Sequence, residues 1–236
     1  TLGSLPGRTG REIRALRERG RRSVEEDASA LWTGVGAHLE QAIAVLKQSS
    51  DSVTLNYAYN GYGMSKQYLC EFGPAEAAYL AALDLAKKMG DDSRLSIIAS
   101  NLCSLRCIQG DYAGSIQFGR YSIEAASRGT SQPRVLASYA NLAEAYMLSG
   151  EKAKGAECIE SAGRLVGKER SWSARVSFLA DTASLALLGG NVAHALDAIS
   201  TMERITWGRE RAVPDLGLVE RLRIFKMGYT RDAASA

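Results

Sequence analysis

The chain is 236 residues long, 46% apolar and 23% charged, with a formal net charge of +3. That mixture excludes a disordered tail, a collagen and a disulfide-dense mini-protein, and no run approaches the roughly 18 apolar residues of a membrane span. Only four residues are Pro, while Ala and Leu abound. This favours helices, because Pro clashes inside a helix and Ala orders at the lowest entropic cost.

Residues 1–22 hold seven Arg against Glu12 and Glu18, a local +5, which leaves the remainder near −2. The basic segment 1–23 reads as a solvated helix face or a linker, the alternative being contact with an acidic partner or nucleic acid. The chain as a whole lacks the basic stripe of a dedicated nucleic-acid binder. Apolar spacing and turn residues then predict helices over 24–34, 37–49, 53–72, 74–89, 93–109, 112–128, 133–148, 151–167, 172–188, 191–206 and 213–227. No alternating strand pattern of useful length appears.

The short turns repeat. Gly36, Gly73, Gly110, Gly150 and Gly190 follow one another at 37, 37, 40 and 40 residues. Arg94-Leu95, Arg134-Val135 and Arg175-Val176 keep a similar beat, at 40 and 41. Each unit reads as two helices. The glycine ends the first, where a left-handed residue costs least, and Pro74, Asp111, Glu151 or Asn191 opens the second. Residues 24–206 are therefore expected to form about five repeats, the first of them weak. Residues 207–236 are expected to supply a capping helix and tail, with Leu222 and Phe225 buried against 191–206. An exposed apolar strip after Met202 would instead mark a homodimer interface or a neighbouring domain.

The repeats resemble the tetratricopeptide family. Tyr139, Asn141-Leu142-Ala143, Tyr146, Gly150-Glu151 and Gly155 match its pattern in order, as do Asn101-Leu102-Cys103, Gly110-Asp111-Tyr112 and Ser115. Leu179, Thr182-Ala183, Gly190-Asn191 and Ala195 match more loosely, and so do Tyr62, Gly73 and Ala78. Lys66 and Arg106 depart from it, standing where a small residue and an aromatic are expected. The period of 37–40 is longer than the family's usual one and resembles the repeats of bacterial signalling regulators. The resemblance implies an all-α fold, a right-handed α-solenoid of stacked antiparallel helix pairs. Ala78, Ser115, Gly155 and Ala195 are then the small residues that let the two helices of a unit cross closely.

No catalytic constellation is present: there is no HExxH, no GxSxG and no Cys-His pairing. The run Gly163 to Lys168 is one residue short of a phosphate loop and lacks its Ser/Thr. Cys70, Cys103, Cys107 and Cys158 read as small buried thiols in a reducing compartment. The expectation is no catalytic residue, no metal, no cofactor and no enzyme activity.

Binding is the better case. In repeats of this family the first helix of each unit lines a groove. The resemblance carries that role to Asn60, Gly63 and Gln67, then Ile97, Asn101 and Ser104, then Ala137, Asn141 and Glu144, and lastly Asp181 and Ser184. Asn101, Asn141 and Asp181 stand 40 apart and form a ladder that either hydrogen-bonds an extended peptide or sugar or braces neighbouring helices. Arg94, Arg134 and Arg175 form a second ladder that either contacts a ligand or is solvated or paired with Asp92 or Glu169. The expected function is a cytoplasmic, non-catalytic module for a peptide or protein partner or a small-molecule effector, with no direct nucleic-acid or membrane contact. It reads as the sensor or interaction part of a larger bacterial regulator; the alternative is a stand-alone scaffold.

Overall fold

The structure is a computed structural model and describes residues 10–128, 132–166, 171–206 and 226, with side chains from residue 28 onward except at 132–134. Among the described residues there are nine helices and no strand. They are α1 Gly10–Leu46, α2 Ser52–Tyr68, α3 Phe72–Met89, α4 Asp92–Ile108, α5 Tyr112–Arg128, α6 Gln132–Leu148, α7 Lys152–Val166, α8 Trp172–Leu188 and α9 Val192–Thr206.

The period is 40. The first helices of the repeats start at 52, 92, 132 and 172, and the second at 72, 112, 152 and 192. The shorter spacing of 37 read at Gly73 is a misregister. Gly73 lies inside the first turn of α3. The left-handed residue before α3 is Cys70, at φ 60°, in register with Gly110, Gly150 and Gly190 at 78°, 88° and 82°. The backbone bond closing the turn is the same in three repeats: Glu71 N–H donates to Lys66 O, Asp111 to Arg106 O and Asn191 to Ala186 O, at 2.8–2.9 Å. This contact, six residues to one, satisfies a carbonyl that the helix end would orphan.

The two short helices expected over 24–34 and 37–49 are one continuous helix, α1, which also runs through the boundary expected at residue 23. Gly36 ends nothing. A Cβ on it would lie 3.0 Å from Ser65 Oγ, and Ser65 is fully buried. Its small size serves the crossing of α1 and α2. The capping helix expected over 213–227 lies outside the described residues apart from Lys226.

The chain divides into two compact units, residues 1–82 and 83–236. In the first, Asn56 on α2 donates to Ala82 O at 2.6 Å. A Cβ on Gly63 would fall 2.6 Å from the Tyr79 ring, so α2 and α3 pack with no room for one. In the second unit, α4 pairs with α5, α6 with α7 and α8 with α9, and α4, α6 and α8 stand in sequence beside one another. Each pair crosses over a small residue of its second helix. Ser115 and Ala195 are fully buried, and Gly155 is buried. In register with them stands Ala75, also fully buried, rather than the Ala78 expected from sequence. The core of the second unit includes Leu142, Tyr146, Ile159 and Leu185, drawn from three helices. Burying a side chain such as Ile159 contributes about 1.5–3 kcal/mol. A buried relay ties α4, α5 and α6: Ser122 Oγ donates to Ser96 O at 2.7 Å and lies 2.6 Å from Ser138 Oγ.

Candidate functional site

The 40-residue register puts positions 101, 141 and 181, and positions 104, 144 and 184, on one face of α4, α6 and α8. All six are half-buried, with buried residues between the two on each helix, at 102–103, 142–143 and 182–183. Ile97 is half-buried and Ala137 exposed on the same stripe.

Between α6 and α8 this face opens into a hollow of about 100 Å³. Its wall holds two carboxylates, Glu144 and Asp181, with Asn141 and Ser184 beside them and Ala140 and Leu185 beneath. Burial pushes the Glu144 carboxyl above its ordinary value, because the apolar surroundings disfavour the charged form. Glu144 makes no hydrogen bond or ion pair with another described side chain. Ser184 Oγ donates to Ala180 O at 2.9 Å, the ordinary back-bond of a helical serine, which leaves its oxygen able to accept. Asn141 Nδ2 donates to Ser100 O at 3.1 Å and to Ser100 Oγ at 2.9 Å. One end of its amide thus braces α6 on α4, while the residue also lines the hollow.

In the first unit, Asn60 lies on α2 with its Nδ2 3.9 Å from Met64 Sδ, and Gln67 Oε1 accepts from Tyr79 Oη at 2.9 Å. Gly63 is buried against Tyr79 and lines no open face.

The arginines are distributed differently. Arg94 stands in the first turn of α4 with its Nε 2.8 Å from Asp91 Oδ2, while Asp91 Oδ1 accepts from Arg94 N at 3.0 Å. Cap and side chain form one local unit, and only 11% of the Arg94 side chain is exposed. Arg175 falls one position off the register of Arg94, on the position of Leu95 and Val135, about 100° around the helix. The Arg134 side chain lies outside the described residues.

The two departures from the family pattern have a shared cause. Lys66 and Arg106 occupy one repeat position, held by Tyr146 in the next repeat, so the small residue expected at Lys66 belongs to the same misregister as Gly73. Both reach over the turn to the acidic residue behind it, Lys66 Nζ to Glu71 at 2.7 Å and Arg106 Nη1 to Asp111 at 3.2 Å. At the next such position, Tyr146 Oη accepts from Arg120 Nε and Nη2 at 3.0 and 2.7 Å.

Cys103, Cys107 and Cys158 are buried, and desolvation pushes their thiols up to about 12, 11 and 11. Cys70 departs from the expectation: it is exposed. Among the described residues, no helix is long and apolar enough to cross a membrane.

No protein-family model matches the chain, and no curated protein matches it either. Solved structures do. The chain is similar to BtubC (BKLC) of P. vanneervenii, with a TM-score of 0.62 at 15% identity over 87% of this chain and 89% of that one. It is also similar to a Podospora anserina protein of nearly identical kinesin-light-chain TPR-like repeats, with a TM-score of 0.58 at 16% identity over 83% and 98% of the two chains. A single-substitution variant of that protein gives 0.60 at 14%, over 83% and 97%. The fold is that of TPR-like repeats, an all-α solenoid of helix pairs.

Proposed function

We propose that the chain is a non-catalytic protein-binding module whose first-helix face, on α4, α6 and α8, receives an extended segment of a partner with a basic side chain seated between α6 and α8. The observation that carries this reading is Glu144. A carboxylate drawn partly out of water, with no hydrogen bond or cation beside it among the described residues, is costly. A guanidinium or ammonium in the hollow would supply the missing counter-charge, with Asp181 across from Glu144 as a second acceptor. Arginine suits it best, since its planar fork can serve two oxygens at once. A hollow of about 100 Å³ admits one side-chain head and falls below the roughly 300–1,000 Å³ of a small-molecule pocket. Asn141 and Ser184 flank it and can bond the segment's backbone.

The setting we infer, from repeats of this length, is the interaction arm of a larger bacterial regulator in the cytoplasm. A full-length gene carrying an ATPase, DNA-binding or output domain next to these repeats supports that setting; a stand-alone reading frame supports a scaffold instead.

Binding is tested with labelled peptides of one alanine-rich frame carrying Arg, Gln or Glu at its centre, read by fluorescence anisotropy. The Arg peptide should bind best. Glu144→Gln and Asp181→Asn should each loosen it about tenfold, the loss of one charged hydrogen bond. Equal binding of the three peptides, or no effect of either substitution, would refute the reading.

A further inference from the structure

A second hollow lies wholly within the first unit, away from the face just described. It measures about 530 Å³, within the roughly 300–1,000 Å³ of small-molecule sites. α1 contributes Ile43 and Ala44, α3 contributes Pro74, Ala77, Ala78 and Ala81, and α2 contributes the rings of Tyr59 and Tyr62. Two charges stand on its rim, Glu40 on α1 and Lys47 just past the end of that helix, about two helical turns further along the chain.

The repeat register shows how the lining differs from that of the later repeat. Forty residues on, Ala78 becomes Phe118 and Ala81 becomes Tyr121. Lys47 stays a lysine, Lys87, and its ammonium lies 5.8 Å from the centre of the Tyr121 ring. The later repeat fills the corresponding positions with two aromatic rings and lays the lysine on one of them. The earlier repeat keeps the lysine and replaces both rings by alanine. The opposite wall changes the other way: Tyr59 and Tyr62 stand where the later repeat has Ala99 and Leu102, so the hollow keeps two rings on its α2 wall, facing the small residues of α3, and these suit a flat aromatic body.

The rim says which charge it carries. Lys66, at the Glu40 end, is already paired with Glu71 at 2.7 Å. Lys47 faces no carboxylate among the described residues; its ammonium lies 5.9 Å from the Tyr59 ring. Among the described residues the unpaired cation of this rim is therefore Lys47, at the end remote from Glu40, where an anion meets attraction without repulsion.

We propose that this hollow binds a small aromatic carboxylate, its rings between Tyr59, Tyr62 and the alanines of α3 and its carboxylate at Lys47.

The test is isothermal titration of the full chain with 2-naphthoate, with uncharged 2-naphthol and aliphatic octanoate as comparisons. Naphthoate should bind saturably at one site and more tightly than octanoate. Ala78→Phe and Ala81→Tyr, which restore the rings of the later repeat, should each weaken it at least tenfold with helix content unchanged. Lys47→Gln should weaken naphthoate about two- to fivefold, the range of an exposed ion pair, and leave naphthol as it was. If a filled variant fails to fold, the lysine variant decides, since the head of an exposed lysine is dispensable for folding. No saturable naphthoate binding, unchanged binding in a folded filled variant, or an equal effect of Lys47→Gln on naphthoate and naphthol would each overturn the proposal. An aromatic-acidic peptide that binds here while naphthoate does not would overturn it too, in favour of a protein partner.

Discussion

Asn141 on α6 holds both the carbonyl and the hydroxyl of Ser100 on α4, across 41 residues of sequence. One side chain of the candidate face therefore also joins two repeats. Asn141→Ala removes two partly buried hydrogen bonds and should lower the unfolding free energy by about 1–3 kcal/mol, seen as a lower urea midpoint with an unchanged slope. A midpoint equal to the parent's would mean that the brace carries no net stability. Loss of peptide binding in this variant has meaning only at temperatures where it is fully folded.

Cys70 sits in the left-handed region, at φ 60°, where the other repeats have glycine. A side chain there costs about 1–2 kcal/mol, against about 0.5–1 kcal/mol for the extra chain entropy of glycine. Cys70→Gly should stabilise the protein by about 0.5–1 kcal/mol in chemical denaturation. A destabilised variant would contradict the turn geometry.

Two glycines of α7 give opposite expectations for the same substitution. A Cβ on Gly155 would lie 3.0 Å from Met147 Cε and 3.1 Å from Ala143 O, so Gly155→Leu should cost about 1–3 kcal/mol by overpacking. Gly163 has nothing within 4 Å of its Cβ position, and Gly163→Leu should be neutral or gain up to about 1 kcal/mol of helix propensity. Thermal melts of the pair, read side by side, check the crossing.

Thiol titration with a disulfide reagent under native conditions should modify Cys70 alone, since it is the exposed cysteine of the four. The buried thiols, pushed up to about 11–12, are neutral near pH 7 and should react only on unfolding. Rapid reaction of more than one thiol in the folded protein would contradict the packing of α4, which carries Cys103 and Cys107, or of α7, which carries Cys158.

Glu144 has its folded-state pKa raised by burial. Stability from its protonated form is fully present below the ordinary glutamate value of about 4.3 and is lost as pH rises through the raised value. Glu144→Gln removes that loss. It should stabilise the protein near pH 7 relative to the parent and flatten the stability profile between the acid range and neutrality. An unchanged profile would place Glu144 in contact with solvent.

The repeat, the helix pairs and the stripe on α4, α6 and α8 were legible in the sequence because glycine marks three of the turns at a fixed interval. The turn before α3 was misread because Cys70 takes the glycine's place, and the conspicuous Gly73 three residues later shifted the register of Ala75 to Ala78. Gly36 misled for a related reason: glycine serves close crossing as well as helix ending, and only the neighbour, Ser65, tells the two apart. The bracing bond of Asn141 was one of two readings open from spacing alone. The hollow beside Tyr59 and Tyr62 is not legible in the sequence, because a cavity depends on how the helices pack. Its trace is an exchange of residue types between repeats, Ala78 and Ala81 in register with Phe118 and Tyr121, and Tyr59 and Tyr62 in register with Ala99 and Leu102, visible only once the period of 40 is known.

Seating of a basic side chain between α6 and α8, at Glu144 and Asp181, is best checked by titrating ¹⁵N-labelled full chain with the arginine peptide and following amide shifts. Saturable shifts centred on residues 137–144 and 177–185 are expected, abolished in the Glu144→Gln, Asp181→Asn double variant. Shifts centred on α5, α7 and α9, or shifts that persist unchanged in the double variant, would refute binding at these two carboxylates.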